Sequence, residues 1–343
     1  MPTASIKEVA RQAGVSIGTV SNVLNHPHVV APATRQRVLG VIERLGYVRN
    51  DSARQLRAGR SRIISIMVLD VANPFFTDVV RGAEASAEEH GLVVMVCDSG
   101  NSVARERRYL DMLEEQRVQG VLITPVDDGQ DSRLGQFVRR GTPVVFVDRE
   151  ARQRNRCSVA VDDVLGGRLA GDHLAERGHR RIAFVGGPFT TRQVVDRHEG
   201  CSAALVGRIG ASAHLLVVST ACLTVAAGRR AGEDIADLPT QRRPTAVFCA
   251  NDLLALGLLQ TMTQRGITVP NEIAIVGYDD IEFAGAAAVP LSSIRQPREQ
   301  LGRTAAQLLL EEINDGGTHQ HRHVVFKPQL VVRRSSSQRH QAA

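Results

Sequence analysis

Residues 14–25 read GVSIGTVSNVLN, a stretch that mixes apolar Val15, Ile17, Val20, Val23 and Leu24 with small polar residues and sets Gly18 inside an apparently helical run. Glycine in a helix interior costs about 1 kcal/mol against alanine, so its presence asks for a reason. The flanks supply the context. Upstream, IKEVARQAG puts Ile6, Val9, Ala10 and Ala13 at i, i+3, i+4 and i+7, one apolar face of an amphipathic helix that Gly14 ends. Ser16 then stands where its hydroxyl can accept a backbone N–H near Thr19 and cap a second helix, with Val20, Val23 and Leu24 on the inner face. Downstream, a third helix is predicted over roughly Thr34 to Leu45. It turns Val38, Leu39, Val41, Ile42 and Leu45 inward and Arg35, Arg37 and Arg44 outward, and Gly46 and Tyr47 close it. This is a helix-turn-helix. The exposed face of its second helix, Ile17, Gly18, Ser21 and Asn22, is the one that would enter a major groove, where close approach to base edges outweighs helix propensity; the alternative is an ordinary helical hairpin that tolerates a glycine.

Charge separates this head from the rest of the chain. Residues 1–62 hold ten Lys and Arg against three acids, a net of +7, while the whole 343-residue chain is +6. The remainder therefore carries 32 basic and 33 acidic residues, a net of −1. A basic head on a nearly neutral body points either to a polyanion-binding module joined to something else or to a solvated basic face, and charge alone does not separate the two. The length exceeds what one hydrophobic core usually fills, so two or three domains are expected. No apolar run approaches the ~20 residues that span a bilayer, and MPTASIKEVARQAG lacks the apolar core of a signal peptide. A cytoplasmic location with no membrane partner is the expectation. The five cysteines, Cys97, Cys157, Cys201, Cys222 and Cys249, are odd in number, scattered and never spaced as CxxC. They read as reduced and mostly buried.

From Arg62 the pattern changes to short β-branched runs alternating with amphipathic helices, the signature of parallel sheets covered on both faces. IISIMVL, LVVMVC, GVLIT and PVVFVD form one set; RIAFVGG, LLVVS, TAVFCA and IAIVGYD form a second. Two lobes of four or five strands each are expected, meeting near residues 160–163, with SSIRQP and VVFKPQLVVRR as crossings between them. Ligands of open α/β sheets bind beyond the carboxyl ends of the strands. The residues there are Asn73, Phe75 and Phe76 in NPFF, Asp148 and Arg149 in VDR, Arg197 in DRHEG, Asn251 and Asp252 in AND, Asp279 in GYDD and Gln296 in IRQP. Carboxylates, amides and guanidinium forks bind vicinal hydroxyls, and an aromatic face covers the apolar side of a sugar ring.

Through IKEVARQAGVSIGTVSNVLN and GYVRNDSARQLRAGRS, residues 46–61, the chain resembles the LacI/GalR family of bacterial transcription regulators, ungapped through the head and along nearly the whole length. The resemblance implies base contacts by Ile17, Gly18 and Asn22, and a wider DNA-facing set of Ser16, Thr19, Ser21, Asn25, Tyr47, Asn50, Ala53 and Arg54. It also implies that SARQL, residues 52–56, is a hinge helix that orders on operator DNA and wedges Leu56 into the minor groove. Arg49, Arg54, Arg57 and Arg60 supply phosphate contacts of the kind such a kink needs. The core is similar to the family's effector domain and to periplasmic pentose-binding proteins. That likeness makes Asn73, Phe75, Phe76, Asp148, Arg149, Arg197, Asn251, Asp279 and Gln296 ligands of a small sugar or polyol, with a pentose such as ribose first. Two positions depart from the pattern: Leu223 stands where relatives carry an aromatic wall, and Cys201 where they carry Phe or Tyr.

The domain organisation expected is a helix-turn-helix head over 1–48, a hinge over 49–61 and a two-lobed periplasmic-binding-protein-like core over 62–334. Lobe 1 is assigned 62–160 and 293–323, lobe 2 is assigned 161–290 and 324–334, and a disordered tail fills 335–343. No GxxxxGK[ST], strand-linked GxGxxG, GxSxG or HExxH is present, so an enzyme and a bound cofactor are not expected. His319, His321 and His323 in HQHRH could hold a metal along an extended strand, but a solvated loop without metal is the reading adopted. Asp279 and Asp280 are adjacent and point to different sides, which suits binding better than acid–base chemistry. The function expected is an allosterically controlled repressor, a homodimer reading a near-palindromic operator. No leucine heptad follows Arg334, which favours a dimer over a tetramer.

Overall fold

The computed structural model describes residues 5–47, 61–127, 132–151, 155–210 and 214–337. Asn50, Ala53, Arg54 and Leu56, with the expected hinge up to residue 60, lie outside the described residues, as do positions 338–343 of the expected tail. The chain divides into two compact units, 1–61 and 62–343.

In the first unit, α1 (Ile6–Ala13) is capped by Ser5 and ends at Gly14, whose φ of 60° is left-handed. Helix α2 (Ile17–Asn25) starts on Ser16, whose Oγ accepts the Thr19 amide at 3.0 Å. Helix α3 runs Pro32–Leu45, two residues longer than predicted, because Pro32 fits the first helical turn, where its missing N–H leaves nothing unpaired. Val9, Ala10, Ala13, Val20, Val23, Val38 and Val41 form the core. Leu39 does not join them: it is 45% exposed, since Val38, Val41, Ile42 and Leu45 already complete the inward stripe.

Among the described residues, the second unit holds two six-stranded sheets. The first contains β1 (Ile63–Val68), β2 (Val93–Asp98), β3 (Val121–Ile123), β4 (Val144–Val147), β5 (Ser158–Val161) and β11 (His323–Phe326), all parallel, in the order β11-β5-β4-β3-β1-β2. The second contains β6 (Arg181–Gly186), β7 (His214–Ser219), β8 (Ala246–Cys249), β9 (Ala274–Asp279), β10 (Ser292–Arg295) and β12 (Gln329–Val331), in the order β12-β10-β9-β8-β6-β7. It is parallel except for the β10–β12 pair. The helices on the first sheet include α4 (Pro74–Glu89), α5 (Val103–Glu115), α6 (Ser132–Arg139) and α12 (Arg298–Asp315). Those of the second include α7 (Asp163–Glu176), α8 (Arg192–Ile209), α9 (Val225–Ala236), α10 (Asp252–Gln264) and the short α11 (Glu282–Ala286).

Three expectations change. Residues 293–295 belong to lobe 2, where β10 pairs with β9, and 324–326 belong to lobe 1, where β11 pairs with β5. The chain therefore crosses three times, after β5, after β10 and after β11. Each sheet gains a fifth and a sixth strand too short to show a clear sequence period. The tail is ordered at its start: Ser335 and Ser336 are fully buried, with Ser335 Oγ donating to the Ile275 carbonyl at 2.6 Å and accepting the Ser292 amide at 2.8 Å. The HQHRH run is also not a solvated loop. The His319 side chain is only 4% exposed, and His323 opens β11.

Helices α4 and α12 touch through glycines. A Cβ at Gly302 would lie 1.8 Å from the Val79 carbonyl oxygen, and one at Gly82 would lie 1.9 Å from that of Glu299. Backbone cannot retreat as a side chain tip can, so Gly302→Ala should destabilise the core by about 1–3 kcal/mol. Gly207 in α8 has open space around it, and Gly207→Ala should instead be neutral or stabilising by up to about 1 kcal/mol. Urea unfolding midpoints of the two variants should move in opposite senses.

Candidate functional site

Each unit presents one candidate surface. In the head, Ile17, Gly18, Asn22 and Asn25 are exposed and Thr19 and Ser21 half-buried. A side chain at Gly18 would meet only Ser16 Oγ, at an ordinary 3.5 Å. Packing within the head therefore does not explain this glycine. Ser16 and Thr19 are engaged with each other, their hydroxyls 2.9 Å apart at the helix cap. Asn25 Nδ2 donates back to the Ser21 carbonyl and hydroxyl. Tyr47 packs half-buried against the head's core.

In the second unit, a cavity of about 440 Å³ opens between the strand ends of the two lobes. Asp148, Arg149, Glu150, Ala160 and Val161 line it from lobe 1, and Asp163, Arg192, Gln193 and Asp196 from lobe 2. Asp148 follows β4 with a left-handed φ of 55°. Gln193 Nε2 reaches across to it, donating to its carbonyl at 2.7 Å and to Oδ2 at 3.0 Å. Behind Gln193 lies Arg197, 4% exposed. Its Nε donates to Asp163 Oδ1 at 2.8 Å, its Nη1 to the Ala250 carbonyl at 2.8 Å, and its guanidinium carbon sits 3.7 Å from the centroid of the Tyr278 ring. Asp279 Oδ1 is 4.0 Å from Arg197 Nη1 and accepts Gln296 Nε2 at 2.7 Å. A second tie between lobes comes from Arg298, which pairs with Asp78 at 2.7 Å and donates to the carbonyls of Asp279 and Asp280.

Electrostatics follow from this burial. Loss of solvation pushes the Asp148 carboxyl up to about 8, with Asp163 adding repulsion and Arg197 opposing. Burial likewise raises Asp279 to about 6 against the pull of Arg197. Burial alone would depress Arg197, but Asp163, Tyr278, Asp279 and Asp148 reverse that and hold it above its ordinary value. Asp280 points elsewhere. Its burial is overcome by Arg333 and Arg295, which lower its carboxyl below the usual value.

The expected ligand set is thus divided. Asp148 and Arg149 line the cavity, and Arg197, Asp279 and Gln296 form the buried array joined to it through Asp163. Asn251 is engaged as the cap of α10, accepting the Leu254 amide and donating to the Leu223 carbonyl. Asn73 caps α4, and Phe75 and Phe76, at 2% and 6% exposure, pack edge to face in the apolar core of lobe 1. These four do not line the cavity. Cys201 is wholly buried in the core of lobe 2. Sequence reasoning missed Asp163 and Gln193. The pair Asp162-Asp163 follows β5, a four-residue strand not recognised as one, and opens α7, while Gln193 in the first turn of α8 carries no sequence signal.

Two buried side-chain oxygens, Asp148 Oδ1 and Gln296 Oε1, have no hydrogen-bond partner among the described residues. Asp148 also makes stability depend on pH. The native carboxyl keeps its proton to about 8, whereas the unfolded chain releases it near 3.8. The native state therefore holds more protons across this window, and its stability falls as pH rises through it, then levels off above. Asp148→Asn should raise the urea midpoint at pH 8 and leave it nearly unchanged at pH 4. Equal shifts at both would assign the burial cost elsewhere.

The comparisons with known proteins fit this arrangement. Residues 5–50 match the model of the bacterial regulatory proteins of the lacI family, and residues 171–336 match a periplasmic binding protein-like domain. The HTH-type transcriptional repressor PurR of Vibrio atlanticus is 34% identical over 332 residues, covering 96% of this chain and 98% of that one. The lac repressor dimer bound to operator and the anti-inducer ONPF is 27% identical, with a TM-score of 0.80 over 97% of this chain and 99% of that one. A LacI family transcriptional regulator from Enterococcus faecium with bound ribose is 28% identical, with a TM-score of 0.73 over 80% of this chain and 98% of that one. The chain belongs to the LacI family of bacterial regulatory proteins, as a DNA-binding transcriptional repressor with a ligand-binding domain and not an enzyme.

Proposed function

We propose that the ligand is a small polyhydroxylated molecule, a pentose first, held between the lobes and coupled to operator binding in a homodimer. The observation that carries this reading is a pair of buried polar atoms without a partner among the described residues, the protonated Asp148 Oδ1 at the cavity, which can donate, and Gln296 Oε1 beside Asp279, which can accept. A buried polar atom without a partner costs about 1–3 kcal/mol, and a ligand rich in hydroxyls, each both donor and acceptor, relieves that cost at both atoms. Arg149 at the cavity wall adds a charge-assisted donor for a ring or hydroxyl oxygen. The ribose bound by the Enterococcus faecium regulator supports the same class. Phe75 and Phe76 act in this reading as a rigid floor for lobe 1. They do not stack on the sugar. Because Gln193 and Arg298 already bridge the lobes, a ligand between them changes lobe closure, and its coupling to DNA affinity is reciprocal.

Operator recognition rests on α2. Ile17 touches thymine methyls, Asn22 supplies the polar readout, and Gly18 lets the helix approach the bases closely. Leu56 is assigned the minor-groove wedge.

Calorimetric titration of the full chain with D-ribose, a hexose, a disaccharide and a nonsugar control tests the ligand class. Saturable binding of a sugar is expected, and no heat with any of the three sugars would sink it. Arg149→Ala should weaken sugar binding by about 1.5–3 kcal/mol while operator affinity without ligand stays at the parent value.

Gly18→Ala separates packing from contact in the head. The head should keep or gain stability, by up to about 1 kcal/mol, while operator affinity drops. Asn22→Ala should flatten the preference at one base pair per half-site by about 1–3 kcal/mol. Unchanged selectivity across a library of operator variants would remove Asn22 from that role.

A further inference from the structure

The HQHRH run is the sequence feature that repression leaves unexplained, and the fold brings it against two residues far away in the chain. Cys157 Sγ, Glu312, His319 and His321 each offer one ligand atom, and all four atoms lie within 4.8 Å of one another. Cys157 Sγ is 3.2 Å from His319 Nε2 and 3.9 Å from His321 Nδ1, and His321 Nδ1 is 3.9 Å from Glu312 Oε2. We propose that this cluster is a structural binding site for a zinc-class divalent cation, with Cys157, Glu312, His319 and His321 as its four ligands.

The distances fit the chemistry. Tetrahedral zinc with one sulfur and lighter N and O ligands has ligand-to-ligand edges of about 3.3–3.6 Å. The three separations above reach that range through movements of a few tenths of an ångström. The ligand types agree as well: thiolate, imidazole and carboxylate together favour zinc over calcium or magnesium, which take oxygen. One thiolate and one carboxylate match the charge of a dication, and the buried Arg156 guanidinium that acts on Glu312 and His321 is countered by the Asp315 carboxylate beside His319. Enclosure is marked: Cys157 is wholly buried, and the side chains of His319, Glu312 and His321 are 4%, 13% and 24% exposed.

The surroundings are arranged as they are around metal ligands. His319 Nδ1 lies 3.4 Å from Asp315 Oδ2, which directs Nε2 toward Cys157, the outer-shell carboxylate that orients a ligating imidazole. The Arg322 amide donates to Cys157 Sγ at 3.3 Å, which partly offsets the burial that pushes this thiol up. Glu312 Oε2 is buried and has no hydrogen-bond partner. His323 is outside the cluster, its Nδ1 2.8 Å from Ser158 Oγ. The histidine set that strand spacing pointed to is therefore replaced by two histidines plus ligands from α12 and from the entry to β5. Four protein ligands leave no open position, so the ion is structural. It ties the end of α12 and the 316–321 segment to β5, next to the strand from which the chain crosses to lobe 2 for the last time.

The test uses the full-length, untagged chain stripped with a chelator. Titration with cobalt(II) should saturate at one equivalent per chain and show intense tetrahedral d–d bands with a thiolate charge-transfer band, all displaced by zinc. The band should persist in Cys222→Ser, which removes the exposed cysteine. It should vanish in Cys157→Ser. His321→Ala should weaken zinc binding by about 100-fold or more, and His323→Ala by less than about threefold. Zinc should also raise the thermal midpoint of the parent and not that of Cys157→Ser. The cobalt spectrum of the parent and of Cys222→Ser requires no change to the cluster, so misfolding of a variant does not shield the proposal. Absence of a thiolate band in the parent, its loss in Cys222→Ser, or zinc affinity unchanged in both Cys157→Ser and His321→Ala would overturn it.

Discussion

A single buried cation, the Arg197 guanidinium, organises the ligand-binding half of this protein. It sits where the ends of β8 and β9 meet the start of α7, donating to Asp163 and to the carbonyl of Ala250, with Tyr278 and Asp279 of β9 against it. An unpaired guanidinium at this depth would cost several kcal/mol, so these partners are obligatory. Their carboxylates, once recruited, shape the potential of the cleft. Asp148 in lobe 1 meets the repulsion of Asp163 and Asp279 as well as its own desolvation, and it retains its proton to about 8. Burial thus sets the protonation state of Asp148, with the carboxylates around Arg197 adding to it and Arg197 itself opposing.

The two lobes are built alike and tied lightly. Each has a six-stranded sheet whose first five strands follow one order, β2-β1-β3-β4-β5 in lobe 1 and β7-β6-β8-β9-β10 in lobe 2. Helix pairs on both close through facing glycines, Gly82 with Gly302 in lobe 1 and Gly167 with Gly200 in lobe 2. Dense packing makes each lobe stiff. Between them run three chain crossings and polar bridges from Gln193 and Arg298, the arrangement expected of bodies that move as units about short connectors. In the proposed function, ligand energy goes into the relation between lobes and not into deforming either one.

Much of this was legible in residue order. The amphipathic period of residues 6–13, the Ser16 cap and the helix-ending Gly14 and Gly46 follow from local chemistry, and α1, α2 and α3 formed as that chemistry predicts. Long β-branched runs such as IISIMV and AIVGYD became buried parallel strands, because a strand covered on both faces needs apolar side chains on both. Short strands escaped: SVAV and QLV are three or four residues long and owe their state to the strand beside them. The lobe limits failed for the same reason, since pairing partner and not composition decides which sheet Ser292–Arg295 joins.

Sequence by itself determined the class of the longer elements, the basic character of the head, the residues at strand ends that carry charge, and the family. What only the tertiary structure decided is which of those residues meet. Phe75 and Phe76 had the chemistry of a sugar platform but turned into the core, because both lie on the face of α4 that packs against β1 and α12. Gln193 had no local signal, yet it is the side chain that bridges the lobes at Asp148. Cys157 and His319 are 162 positions apart and come within 3.2 Å. Helix caps and apolar periods are local properties, encoded within a few residues. Burial, protonation and ligand geometry arise from contacts between residues distant in the chain, and those contacts exist only once the sheets have formed.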